Sequence, residues 1–171
     1  MPLTPTQQAF VQDFGESYQV FGLSRLMGQI VGLLLCEEEP QSLTAITEKL
    51  GVSKGPVSQI TRRLADHDLI ARVPVHGSRR DHYAATADIF GQAYANHAAK
   101  QAKNLALAHK YQQAMDAPGA DAPGYFRSRV EEMTCFYELM LEFQEAFKLE
   151  WERRRRRLAS GAPVNECEDA S

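Results

Sequence analysis

Apolar residues recur along this chain with two different periods, and the change of period locates its elements. In residues 6–20, Phe10, Phe14 and Tyr18, followed by Phe21, stand three and four apart, which predicts a helix with an aromatic stripe. Gly22 ends it. A second helix is expected over residues 23–35, capped by Ser24 and with Leu26, Ile30, Leu33 and Leu34 on its apolar face. Gly28 and Gly32 lie one turn apart on that helix, so another helix can approach its backbone closely. Pro40 stops the pattern.

The period then repeats in two shorter helices. Ser42 caps residues 43–50, where Leu43, Ile46 and Leu50 point inward, and Gly51 supplies a turn. Ser53 opens a helix over residues 54–67 that buries Val57, Ile60 and Leu64, with Pro56 tolerated in its first turn. Alternation replaces the helical period at residues 69–73 and Val75, a strand with Pro74 at an edge or bulge. A turn over residues 76–81, where Gly77 permits positive φ, leads to a return strand at 82–84. Helix, turn, helix and ribbon in that order is the pattern of a winged helix-turn-helix.

Two long helices follow. The first, capped by Asp88, spans residues 89–115 and is alanine-rich; at 1.5 Å per residue it is about 40 Å long. DAPGADAPG over residues 116–124 breaks it. The second covers residues 125–158, with Val130, Met133, Phe136, Tyr137, Met140, Phe143, Phe147 and Trp151 at threes and fours. So much aromatic surface on a terminal helix predicts a homodimer interface, built together with the N-terminal helix. The fold expected is mainly α with a small β-hairpin: a winged helix-turn-helix plus long dimerisation helices. Its divisions are an N-terminal helix for dimerisation or core (1–22), the winged helix (23–88), a helical dimerisation region (89–158) and a disordered tail (159–171).

The face of the second short helix opposite its core residues carries Lys54, Gly55, Ser58, Gln59, Arg62 and Arg63, with no acid before Asp66. Hydroxyl, amide and guanidinium donors suit phosphates and base edges. Arg79 and Arg80 sit at the hairpin tip, where long cations reach phosphates or a minor groove. A merely solvated basic turn explains the tip alone less well once it lies beside such a helix. The formal net charge of −3 does not oppose this. Residues 42–84 hold seven cations against four acids, and attraction acts within a Debye length of about 10 Å. The partner expected is double-stranded DNA. A winged helix used only for protein–protein contact is the alternative.

At these residues a family resemblance enters. GLSRLMGQIVGLLL, then GVSKGPVSQITRRL, then GSRRDHY are similar to GbsR-type regulators, a branch related to the MarR winged-helix repressors. The likeness covers residues 22–83, about a third of the chain, and its most distinctive part is the Gly-x-Arg-Arg-Asp-x-Tyr wing. It implies a dimeric, DNA-binding repressor of a palindromic operator, responsive to a ligand. Ser53, Lys54, Ser58, Gln59 and Arg62 would then read or grip the groove. Arg79 and Arg80 would be the wing contacts, and Asp81 would orient one of them by a charge-assisted hydrogen bond.

Other chemistry is thinly represented. Asp66, His67, Asp68, His76, Asp81 and His82 form no HExxH pair or other site constellation, and there is no GxSxG or Walker loop, so neither an enzyme nor a metal or cofactor is expected. Phe10, Phe14, Tyr18, Tyr94, Tyr137 and Trp151 could cage an organic cation as a small-molecule effector, although packing explains the same residues. The run Arg153–Arg157 reads as a solvated helix end or as an extra phosphate contact, with the helix end favoured. Three scattered cysteines, no apolar run near the roughly 20 residues of a membrane span, and no secretory pattern in MPLTPTQQAF point to the cytoplasm.

Overall fold

The computed structural model describes residues 2–161, and the chain divides into two compact units, Met1–Ala93 and Tyr94–Ser171. The first unit opens with α1 (Pro5–Val20). Its N-cap is Thr4, in a reciprocal capping box with Gln7, a signal the aromatic period did not carry. Gly22, at φ +71°, turns the chain into α2 (Arg25–Leu35), which begins two residues later than expected, after Ser24. The glycines of α2 do let a helix approach. A Cβ on Gly28 would lie 2.6 Å from the Phe14 carbonyl oxygen, and one on Gly32 3.2 Å from the Phe14 Cβ. The helix that takes this space is α1.

After Pro40 the chain makes a strand that the sequence pattern missed, β1 (Gln41–Ser42), because two residues carry no period. Helix α3 (Leu43–Leu50) follows, with the Ser42 hydroxyl accepting from the Ala45 N–H at 3.1 Å. Gly51, at φ +65°, leads into α4 (Lys54–Asp66). That helix stops one residue short of its expected end, with His67 as its C-cap and Asp68 at φ +55° reversing the chain. Strand β2 (Ile70–Val73) ends before Pro74, which has no N–H to donate, so Val75 lies outside it. Strand β3 (His82–Ala85) completes the sheet. The expected hairpin is thus part of a three-stranded antiparallel sheet of order β1-β3-β2, in which Arg72 faces Tyr83 and Gln41 faces Tyr83 from the other side.

The core of this unit joins Val11 of α1 to Ile30, Leu33, Ile46, Val57, Leu64, Ile70 and Tyr83, which fixes α4 and the sheet in one packed body. Thr61 is fully buried among them and donates to the Ser58 carbonyl at 3.2 Å.

Helix α5 (Ile89–Asp116) begins with the Asp88 carboxylate accepting from the Gly91 N–H at 3.2 Å. In the second unit, its residues from Tyr94 onward pair with α6 (Gly124–Ala159). The Tyr94 and Phe147 rings lie 4.4 Å apart, the Asn104 amide donates to the Tyr137 hydroxyl at 3.0 Å, and Arg127 donates to Asp116 at 2.6 Å. These pairs run in opposite directions along the sequence, so the two helices are antiparallel around Ala108, Met115 and Val130. Phe136, Leu139, Phe143 and Phe147, at helical spacing on α6, are each half exposed or more. Of the tail expected at residues 159–171, Ala159 is the last residue of α6, and residues 162–171 lie outside the described ones. No helix among the described residues is long and apolar enough to cross a membrane, and none of their His, Cys, Asp and Glu side chains cluster as a metal site.

Candidate nucleic-acid interface

Helix α4 owes its two faces to its sequence period. Val57, Thr61 and Leu64 are buried and Ile60 is half-buried, which leaves Lys54, Gly55, Gln59, Arg62 and Arg63 exposed and Ser58 at the boundary. Ser53 sits at the N-cap in extended backbone, yet its side chain makes no capping hydrogen bond, so its hydroxyl is not spent on the helix. All of these belong to the first unit, together with the wing.

The wing is the turn between β2 and β3. Gly77 takes φ +79°, as its position in the turn requires, and the Ser78 N–H donates to the Val75 carbonyl at 3.0 Å. Ser78 then orders the tip, because its hydroxyl accepts from the Arg80 N–H at 3.2 Å. Sequence reasoning passed over this residue, although a serine two positions before the donor is the signature of such a side-chain turn. Arg79 and Arg80 are both exposed.

Two expectations about charge need correcting. Asp81 does not orient Arg79 or Arg80; its carboxylate takes the Arg72 guanidinium at 3.0 Å. Since Arg72 faces Tyr83 and Asp81 is two residues before Tyr83, the pair lies on one sheet face along the diagonal that long side chains bridge. Lys49, counted among the local cations, is likewise spent inside the fold: its ammonium lies 2.5 Å from Glu37 and 3.0 Å from Gln41, largely out of solvent. What remains is a smaller but cleaner set. Lys54, Arg62, Arg63, Arg79 and Arg80 make no ion pair with any described residue. A cation kept unpaired and in water is one whose charge a phosphate can use at little cost in broken contacts.

The six aromatic residues expected as a cage fall into two sets. Phe10, Phe14 and Tyr18 form a row of tilted ring contacts on α1, at 5.3 and 5.4 Å, and burial pushes the Tyr18 phenol pKa up. Tyr94, Tyr137 and Trp151 belong to the second unit, where Tyr94 packs on Phe147 and Tyr137 on Phe136. In the arginine run, Arg153 and Arg154 fold back onto Glu150, and these hydrogen bonds hold its carboxyl at about 2. Arg156 donates to the Glu152 carbonyl near the helix end.

Comparison with known proteins agrees with this geometry. Residues 27–82, from α2 to the start of β3, match the model of the MarR family. The HTH-type transcriptional regulator YvaV of Bacillus subtilis (strain 168) is 30% identical over 92 residues, covering 52% of this chain and 52% of that protein. The HTH-type transcriptional repressor OpcR of the same organism is 25% identical over 84 residues, 49% of this chain and 45% of its own length. The chain thus spans about half the length of the curated relatives it matches. A solved crystal structure of a transcriptional regulator superposes with a TM-score of 0.75 at 26% identity, over 87% of this chain and 99% of that one.

Proposed function

We propose that this MarR-type winged helix is the reading head of a sequence-specific, DNA-binding transcription regulator, a cytoplasmic repressor of the GbsR type. The observation that carries the reading is the set of five unpaired cations. Among the described residues of the first unit, cations without an ion pair lie only on α4 and the wing tip, while the neighbouring Lys49 and Arg72 are neutralised within the fold. Helix α4 enters the major groove, with Ser53, Lys54, Ser58, Gln59 and Arg62 toward base edges and phosphates, and Arg63 against the backbone. Arg79 and Arg80 grip the flanking backbone or minor groove. The protein acts as a homodimer on a palindrome, its half-sites about one helical turn apart. The half-exposed aromatic stripe of α6 supports this, being larger than a solvated helix needs. A small organic cation serves as effector, taken up by aromatic rings of one set or the other, Phe10, Phe14 and Tyr18 on α1 or Tyr94, Tyr137 and Trp151 in the second unit.

Selection of bound fragments from random DNA by the purified protein tests the central claim. A palindromic consensus is expected, and enrichment of no sequence, with no affinity for duplex DNA, would leave the winged helix as a protein-binding module. Sedimentation equilibrium should give twice 19.1 kDa, and calorimetry with quaternary ammonium compounds should give heat.

A further inference from the structure

The exposed stripe of α4 is graded. Gly55, Ser58, Gln59 and Arg62 stand at i, i+3, i+4 and i+7 and so share one face, and their side chains lengthen steadily toward the helix C-terminus. Glycine loses more backbone freedom on folding than any other residue, so its place in the first turn of α4 calls for a reason. Gly55 is absent from the positive-φ positions, and a Cβ built on it would meet nothing within 4 Å. Gly28 shows the contrast, since a Cβ there would strike the α1 backbone at 2.6 Å. Within the folded unit, nothing beyond the adjacent residues needs position 55 to lack a side chain.

We infer that Gly55 is where α4 comes closest to the base edges, the missing Cβ letting the helix backbone settle onto the floor of the major groove. The inference deepens the DNA-binding proposal above and rests on it. On a helix tilted with its first turn deepest, the space between backbone and bases widens along the stripe. Hydrogen, hydroxymethyl, carboxamide and guanidinium at 55, 58, 59 and 62 fill such a wedge in order. Specificity at the bases opposite Gly55 then comes from shape, and at those opposite Arg62 from hydrogen bonds.

One rival reason is local. Pro56 follows Gly55, and a proline ring crowds the Cβ of a helical residue before it. The deciding variants are therefore Pro56→Ala alone and Gly55→Ala with Pro56→Ala, which remove the crowding in both. Their thermal midpoints and affinities would be measured on a duplex enriched from random sequence by the wild-type protein, and on a scrambled duplex. The expected result is a midpoint in the double variant equal to or above that of Pro56→Ala. Its affinity for the enriched duplex should fall by about tenfold or more, the scale of one mismatched base pair, with the scrambled duplex unchanged. Equal affinities of the two variants for the enriched duplex would overturn the inference. So would a loss shared by both duplexes, or a lowered midpoint, which would give the glycine to the fold. If the wild-type protein enriches no duplex at all, the DNA-binding proposal itself fails.

Discussion

Lys49 on α3 reaches back to Glu37, in the connection after α2, with its ammonium 2.5 Å from the carboxylate and both side chains more than four-fifths buried. Gln41 accepts from the same ammonium at 3.0 Å, so one cation ties α3 to the chain on either side of Pro40. Lys49→Met would leave Glu37 without its cation in a poorly solvated place, and is expected to cost about 1–3 kcal/mol. Adding Glu37→Met should recover part of that loss, because no charge is then stranded, and a double-mutant cycle from urea unfolding measures the coupling. In the folded fraction, the salt dependence of DNA binding should not change, since Lys49 offers no charge to phosphate.

Helix α1 is seated on α2 through backbone contact at Gly28, and the price of a methyl group there follows from distance. Gly28→Ala sets a Cβ against the Phe14 carbonyl oxygen and the Gly15 Cα, at 2.6 and 2.9 Å, and neither can move without shifting α1. Destabilisation of about 2–3 kcal/mol is expected. Gly32→Ala meets the Phe14 Cβ at 3.2 Å and the Val11 Cα at 3.3 Å, so α1 need give by only a few tenths of an ångström and the cost should be less than half as large. Denaturant midpoints of the two variants give the order. Equal losses would show that α1 does not hold this position.

These interactions show what a sequence can and cannot disclose. The helix-turn-helix was legible because each part has a local cause: Ser42 caps, Gly51 turns, and Val57, Ile60 and Leu64 keep a helical period. The spacing of Gly28 and Gly32 likewise announced a close helix, though not which one. The strand at Gln41–Ser42 was hidden because it exists only through pairing with His82 and Tyr83, forty residues away. Charges were the least legible. Lys49 and Arg72 look like Lys54 and Arg62 in one dimension, and only register and burial reveal which cations are neutralised.

Glu150 gives a prediction in pH. Hydrogen bonds from Arg153 and then Arg154 hold its carboxyl at about 2, against an ordinary 4.5. A carboxylate whose pKa is depressed by folding adds stability above its unfolded value and loses it as pH falls. The contribution of this helix end should therefore be complete above about pH 4.5 and fade toward pH 2. The group is solvent-exposed, so the change is to be read at the site itself. A carboxyl carbon resonance of Glu150 titrating near 2, and returning upward in Arg153→Gln with Arg154→Gln, is the expected result. High salt should weaken the shift.

Helix α4 and the wing tip, the two surfaces proposed to face DNA, should respond differently to loss of an arginine. Arg62 projects from a helix face beside the hydroxyl of Ser58 and the amide of Gln59, whereas Arg79 projects from a turn ordered by Ser78. Arg62→Ala should cost about 1–3 kcal/mol on the selected site and relax preference at one base pair, as loss of a bidentate guanine contact does. Arg79→Ala should weaken selected and scrambled duplexes alike and lower the salt slope by about one, as loss of a phosphate contact does. Arg72→Ala is the internal control. Its guanidinium is held by Asp81, so removing it should alter the slope less than Arg79→Ala does, while loosening the wing. Because an exposed pair of this kind stabilises by about 1 kcal/mol at most, all three proteins should remain folded for the comparison. Identical salt slopes for Arg72→Ala and Arg79→Ala would mean that both cations meet phosphate, and that the pair with Asp81 opens when DNA binds.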